Sequence, residues 1–143
     1  MNDDPYNLKR FTSAQAGVIE RVLAELSNGR KQSHWMWFIF PQIDGLGHSP
    51  TTRFYAIKSA AEAREYLSHP ILGSRLVKCA ELVLAVEGKT AHEIFSSPDD
   101  MKLKSCMTLF AAVTDSEPVF ARVLDKYYAG KRDKRTLDLL GYS

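Results

Sequence analysis

What most constrains this chain is its punctuation: helix-starting residues, then an apolar stripe, then glycine. In "SPDDMKLKSCMTLFAAV", Ser97 can cap free amides and Pro98 suits the first helical position, having no amide to leave unbonded. Asp99 and Asp100 suit the positive end of the helix dipole. "DSEPVFARVLDKYYAG" repeats the pattern, with Ser116 and Pro118 at its start and Gly130 at its end. "TSAQAGVIERVLAELSNG" opens on Thr12 and Ser13, carries Val18, Ile19, Val22, Leu23 and Leu26 at helical spacing, and stops at Gly29.

Further along, "SAAEAREYL" has Glu62 three residues after Ser59, the spacing of a capping box. Pro70 opens the next stripe, which runs through Leu72, Leu76, Cys79, Ala80, Leu82, Val83 and Val86 to Gly88. A short helix over residues 134–140 closes at Gly141. Only the aromatic run at residues 34–40 and "TRFYAI" have strand character. The expectation is an all-α or mainly α fold, a compact single-domain bundle of about six helices. Residues 1–10 read as an N-terminal polar arm and residues 11–143 as the helical domain. Leu23, Leu76 and Phe110 sit on apolar stripes and are expected in the core.

At 143 residues the chain is long enough for one domain with a workable core. A net charge of +2 gives no argument for nucleic acid. No apolar run approaches the roughly 20 residues of a membrane span, and "MNDDPYNLKRF" is too acidic and polar for a signal peptide. Cys79 and Cys106 are the only cysteines, too few for a disulfide framework, so a reduced, cytoplasmic protein is expected.

One stretch fits no simple helix: "SHWMWFIFPQIDGLGHS", residues 33–49. Bulky residues run unbroken from His34 to Phe40, and two glycines follow closely. The run reads as a short helix ending before Pro41, because the residue before proline avoids the α region. Its rings are either core anchors or the wall of a ligand pocket on which a planar ring stacks. A mixed outcome is expected, with Phe38 and Ile39 inside and Trp35 or Trp37 facing a cleft. "GLGHSPTTR" then offers close backbone approach at Gly45 and Gly47, with Ser49, Thr51, Thr52 and Arg53 as donors to an anion. It is neither a G-x-G-x-x-G fingerprint nor a P-loop.

The other constellations read more plainly. His34, His48, His69 and His92 lack the spacings of known zinc sites. His34 and His48 flank the junction of aromatic run and glycine loop, where a histidine can move a proton near neutral pH. Asp99 and Asp100 decorate a helix start, Lys102 and Lys104 read as solvated, and Cys79 and Cys106 as packed. "KRDKR" at residues 131–135 reads as a solvated helix start.

Together, "HWMWFIFPQIDGLGHS", "EAREYLSHPILGSRL", "DDMKLKSCMTLF" and "YYAGKRDKRTLDLL" resemble the bacterial domain-of-unknown-function family DUF1810, also labelled calpastatin-like, from Leu8 onward. The resemblance implies a compact, mainly helical domain and no established activity. It departs at Cys106, where serine is expected. A fainter similarity is to the NADAR group, domains acting on ADP-ribose derivatives and related N-glycosides. It is carried by Met107 and Phe110, a helix ending in glycine, and the terminal T-L-x-x-L. No catalytic residue is carried over from either.

Two function classes follow. One is a small-molecule-binding protein or enzyme acting on a nucleotide-like or ADP-ribose-like ligand. Its site would be His34, Trp35, Trp37, Gln42, Gly45, Gly47, His48, Ser49 and Arg53, with no cofactor or metal. The other is a non-catalytic helical interaction module whose aromatic run is only its core. Solvent access at Trp35 and Trp37 separates them. No membrane or nucleic-acid partner is expected, and the sequence leaves the oligomeric state open.

Overall fold

The computed structural model describes residues 3–142. Among them ten helices follow one another: α1 (Lys9–Ala16), α2 (Ile19–Ser27), α3 (Met36–Ile39), α4 (Pro50–Tyr55), α5 (Ala60–Ser68), α6 (Leu72–Ala85), α7 (Ala91–Phe95), α8 (Asp99–Val113), α9 (Val119–Tyr128) and α10 (Lys134–Leu140). No strand occurs among the described residues; Ile43 and Ile57 form one isolated parallel bridge. No helix is long and apolar enough to cross a membrane.

The fold is mainly helical, but it has ten helices rather than about six. Two causes account for the difference. The stripe that reads as one helix over residues 12–29 is broken at Gly17, a poor helix former. There the Val18 amide bonds the Gln15 carbonyl at 3.0 Å before α2 starts. Thr12 and Ser13 therefore lie inside α1 rather than capping it. The second cause is two further short helices, α4 and α7, of six and five residues. Helices that short are unstable alone and form only where tertiary packing holds them. "TRFYAI" accordingly gives α4 followed by the bridge at Ile57, not a strand.

The cap chemistry explains the helix starts that do match. Ser59 accepts the Glu62 amide, and Asp133 accepts the Thr136 amide. Thr90 and Glu93 form a reciprocal capping box at α7. Just ahead of α6, where no side chain caps the N-cap position, the His69 Nδ1 accepts the amides of Ile71 and Leu72 at 3.1 and 3.2 Å.

The centre of the bundle is α8, buried on several faces through Leu103, Cys106, Met107, Leu109 and Phe110, as an interior helix should be. It packs on α5, α7, α9 and α10, while α6 packs on α2, α5 and α9. Leu76 and Phe110 are in the core and Leu23 packs against it half-buried. Leu8 and Arg10, from the stretch read as a polar arm, are buried.

The α5–α6 corner requires a residue without a side chain. A Cβ on Gly73 would stand 1.9 Å from the backbone oxygen of Leu67. Alanine normally favours a helix over glycine by roughly 1 kcal/mol; here the clash reverses the sign. Gly73→Ala should destabilise by about 1–3 kcal/mol or more. Gly17→Ala is the control, since a Cβ there meets nothing within 4 Å. It should hold or raise the melting temperature. Equal melting temperatures for the two variants would show that the corner relaxes freely.

Candidate functional site

The aromatic run splits its rings between core and cleft. Trp35 is 1 % exposed, and its indole Nε1 donates to Glu25 Oε1 at 2.9 Å. Glu25, itself buried on α2, also accepts the amides of Gln32 and Ser33 and the Ser33 hydroxyl. Four donors on one carboxylate fix the chain at residues 32–35 and so aim α3. Ile39 and Phe40 are buried. Phe38 is half-buried, against the expectation of a core position, with its ring 5.4 Å from Tyr55. Its carbonyl accepts from the buried Gln15 side chain at 2.7 Å. With those neighbours fixed, Trp37 is the half-exposed ring of the pair.

Trp37 forms one wall of a slot. Met36, Phe40 and Ile43 continue its apolar side, Thr52, Tyr55 and Ala56 make the opposite wall, Gln42, Gly45 and Gly47 the lip, and Lys102 of α8 reaches in. The loop between the walls is tied down where Ile57 donates to the Gln42 carbonyl and Asp44 to the Ile57 carbonyl, both at 2.8 Å. The Gln42 side-chain amide lines the slot and has no protein partner among the described residues. Lys102 Nζ stands 5.6 Å from the centre of the Trp37 ring, a cation–π contact. The free volume is about 10 Å³, room for roughly one water.

Charges alternate behind this slot. Lys31, 8 % exposed, pairs with Asp99 at 3.0 Å and lies over Trp35 at 5.0 Å. Asp99 reaches Lys102 at 3.9 Å. Asp99 is thus held mainly by Lys31. Asp100 accepts from Ser97 Oγ at 3.3 Å and faces His92 Nδ1 at 3.4 Å.

Of the nine residues that the sequence nominates, Trp37, Gln42, Gly45 and Gly47 come together in the slot. Trp35 lies in the core behind it. His34 is exposed before α3, and His48 and Ser49 are exposed at the start of α4. Arg53 lies in a different, open depression of about 300 Å³ with Phe54 and Lys58. The glycines have steric reasons of their own. Gly45 has φ +108°, where a side chain would also meet Leu139 at 3.1 Å. A Cβ on Gly47 would be 2.5 Å from Thr52 Cγ2. Ser49 is committed as the N-cap of α4, accepting the Thr52 amide at 3.1 Å.

Sequence reading missed Lys102 and Tyr55, and took Thr52 for an anion donor rather than a wall residue. No local signal marks them: Lys102 sits among charged and polar neighbours, and only the docking of α8 brings it to Trp37. Cys79 and Cys106 are free and buried. Burial pushes the Cys79 thiol up to about 12 and the Cys106 thiol well above its ordinary value. Both are protonated packing groups, not nucleophiles. Among the described residues no cluster of three or more His, Cys, Asp or Glu could hold a metal ion.

Fold and slot together define a small, mainly helical domain with an aromatic-walled cleft capped by a lysine. The chain belongs to the DUF1810 family of proteins of unknown function, which it matches over residues 5–140. It is similar to the conserved hypothetical protein Rv1873 from Mycobacterium tuberculosis, whose crystal structure superposes with a TM-score of 0.96 at 52% identity, covering 98% of this chain and 100% of that one. The family match answers to the first of the two resemblances and does not extend to the NADAR group. No curated protein matches the chain.

Proposed function

We propose that this chain binds a small molecule bearing a planar ring, nucleotide-like or ADP-ribose-like, in the Trp37 slot. The observation that supports it is the ring of Trp37, half-exposed in an apolar slot beside the uncommitted amide of Gln42, with Lys102 Nζ 5.6 Å from its centre. Apolar walls with a few placed polar groups are what small-molecule sites are made of. A ring of that size needs more than the present 10 Å³, so binding requires Lys102 to leave the indole face. That movement costs little, since its carboxylate partner Asp99 is 3.9 Å away and shared with Lys31. The ligand's ring then replaces the ammonium against Trp37, stacking for roughly 1–3 kcal/mol, and Gln42 reads its edge.

The competing reading, an interaction module with the aromatic run as core, draws support from the complete burial of Trp35. A thermal-shift panel of nucleosides, nucleotides and ADP-ribose decides between them, because a ligand of the folded state raises the melting temperature by mass action. We expect a hit that Gln42→Ala and Trp37→Leu weaken at least tenfold, with Gln42→Ala leaving the unliganded melting temperature unchanged. A panel without hits, or a hit that both variants keep, would reject the slot.

A further inference from the structure

Resting on the reading of the Trp37 slot as a ring site, we infer that its ligand carries a diphosphate beyond the ring, as a nucleoside diphosphate does, and that Lys102 and Arg135 bind it. One cation lines the slot and a second is bonded to its lip. Lys102 lines the slot from α8. Arg135, on α10, donates from Nη2 to the carbonyl of Gly45 at 3.3 Å, and Gly45 is part of the lip. The guanidinium is thereby parked at the mouth of the slot, exposed, with no carboxylate in ion-pair distance among the described residues.

The acids around the mouth are already committed elsewhere. Asp99 pairs with Lys31 at 3.0 Å. Asp44, beside Gly45, pairs with Lys58 at 3.4 Å. Asp133 accepts the amide and hydroxyl of Thr136. Arg135 is left without a carboxylate in ion-pair distance, Lys102 only shares Asp99 with Lys31, and Lys134 stands exposed next to Arg135. Steric occupation of the lip by Leu139 and Thr52 at the two glycines makes side-chain cations, not glycine amides, the anion-binding groups. A fork of guanidinium donors suits two phosphate oxygens at once, and an ammonium displaced from Trp37 keeps a partner if the ligand itself brings one.

The test uses the full chain and two probe series, adenosine, AMP and ADP, and guanosine, GMP and GDP, titrated by tryptophan fluorescence and by calorimetry. In the series that binds, affinity should rise about tenfold with each phosphate, and the diphosphate should weaken with added salt while the nucleoside does not. Arg135→Gln should weaken the diphosphate about tenfold and leave the nucleoside unchanged. Arg135→Lys, which keeps the charge and loses the fork, should fall between. If nucleoside and diphosphate bind alike, or Arg135→Gln keeps full diphosphate affinity, the phosphate assignment is overturned while the ring site stands. If no member of either series binds, the ring site and this assignment fall together.

Discussion

Arg10→Ala is expected to lose about 3–5 kcal/mol of stability, among the largest effects of any single side-chain truncation in this chain. Arg10 is 9 % exposed and pairs with Glu62 Oε2 at 2.7 Å. Its other donors go to four carbonyls: Phe54 at 2.7 Å, Tyr6 at 2.7 Å, Asn7 at 2.9 Å and Ala56 at 2.9 Å. Truncation leaves a buried carboxylate without its cation and takes a donor from each of four carbonyls, of which Asn7 keeps the residue-10 amide at 3.2 Å. Arg10→Lys should rescue only part of the loss, because one ammonium cannot reach partners spread around the whole edge of the guanidinium plane. The consequence reaches the slot, since Phe54 and Ala56 bracket Tyr55, a wall residue. Urea unfolding measures the loss directly. A cost under about 1 kcal/mol would mean that the arm and α4 are held by their apolar contacts instead.

Glu25→Ala should cost a comparable amount, and it carries a pH signature. Burial pushes this carboxyl up, but the hydrogen bonds from Ser33, Gln32 and Trp35 outweigh burial and hold its pKa at about 2, against an ordinary 4.5. A folded pKa below the unfolded one contributes stability that is fully present above the unfolded value and is lost as pH falls through the folded one. The window is therefore about pH 4.5 down to 2, and the contribution is on the order of 3 kcal/mol. In Glu25→Gln that part of the acid dependence should disappear, because the amide does not titrate and presents a donor where four donors converge. Unfolding free energies at pH 6, 4 and 3 for both proteins check this. Parallel pH profiles for variant and parent would refute the assignment. Because Glu25 also receives the Trp35 indole, Glu25→Ala should increase quenching of tryptophan fluorescence by acrylamide.

The two predictions concern the two walls of one slot, and neither anchor is visible as such in the sequence. Arg10 reads there as the last residue of a polar arm, and Glu25 as a charge on an amphipathic helix. Their partners lie in other elements: Glu62 on α5 for Arg10, and Trp35 just ahead of α3 for Glu25. The sequence does nominate the right neighbourhood. Trp37, Gln42, Gly45 and Gly47 meet in the slot, because aromatic faces and glycine loops are informative wherever they occur close together. It does not divide labour within that neighbourhood. Ser49 reads as an anion donor and is a helix cap.

Local chemistry marked several helix starts: α5 begins after its Ser59 cap, and α8 and α9 begin directly after Pro98 and Pro118, although Ser97 and Ser116 cap neither of them. It also determined the buried stripe of Leu72, Leu76, Cys79 and Val83 on α6, which repeats at the helical period. Tertiary structure alone decided that α4 and α7 form, since helices so short have no stability apart from what they pack against. It alone decided that Trp35 is buried and Trp37 half-exposed, two positions apart in one run of the same residue type, because the choice depends on a carboxylate delivered by α2. And it alone brought Lys102 and Arg135 to the slot: side chains from α8 and α10 reach Trp37 and Gly45 only once the bundle has packed, and no pattern in the intervening chain encodes that meeting.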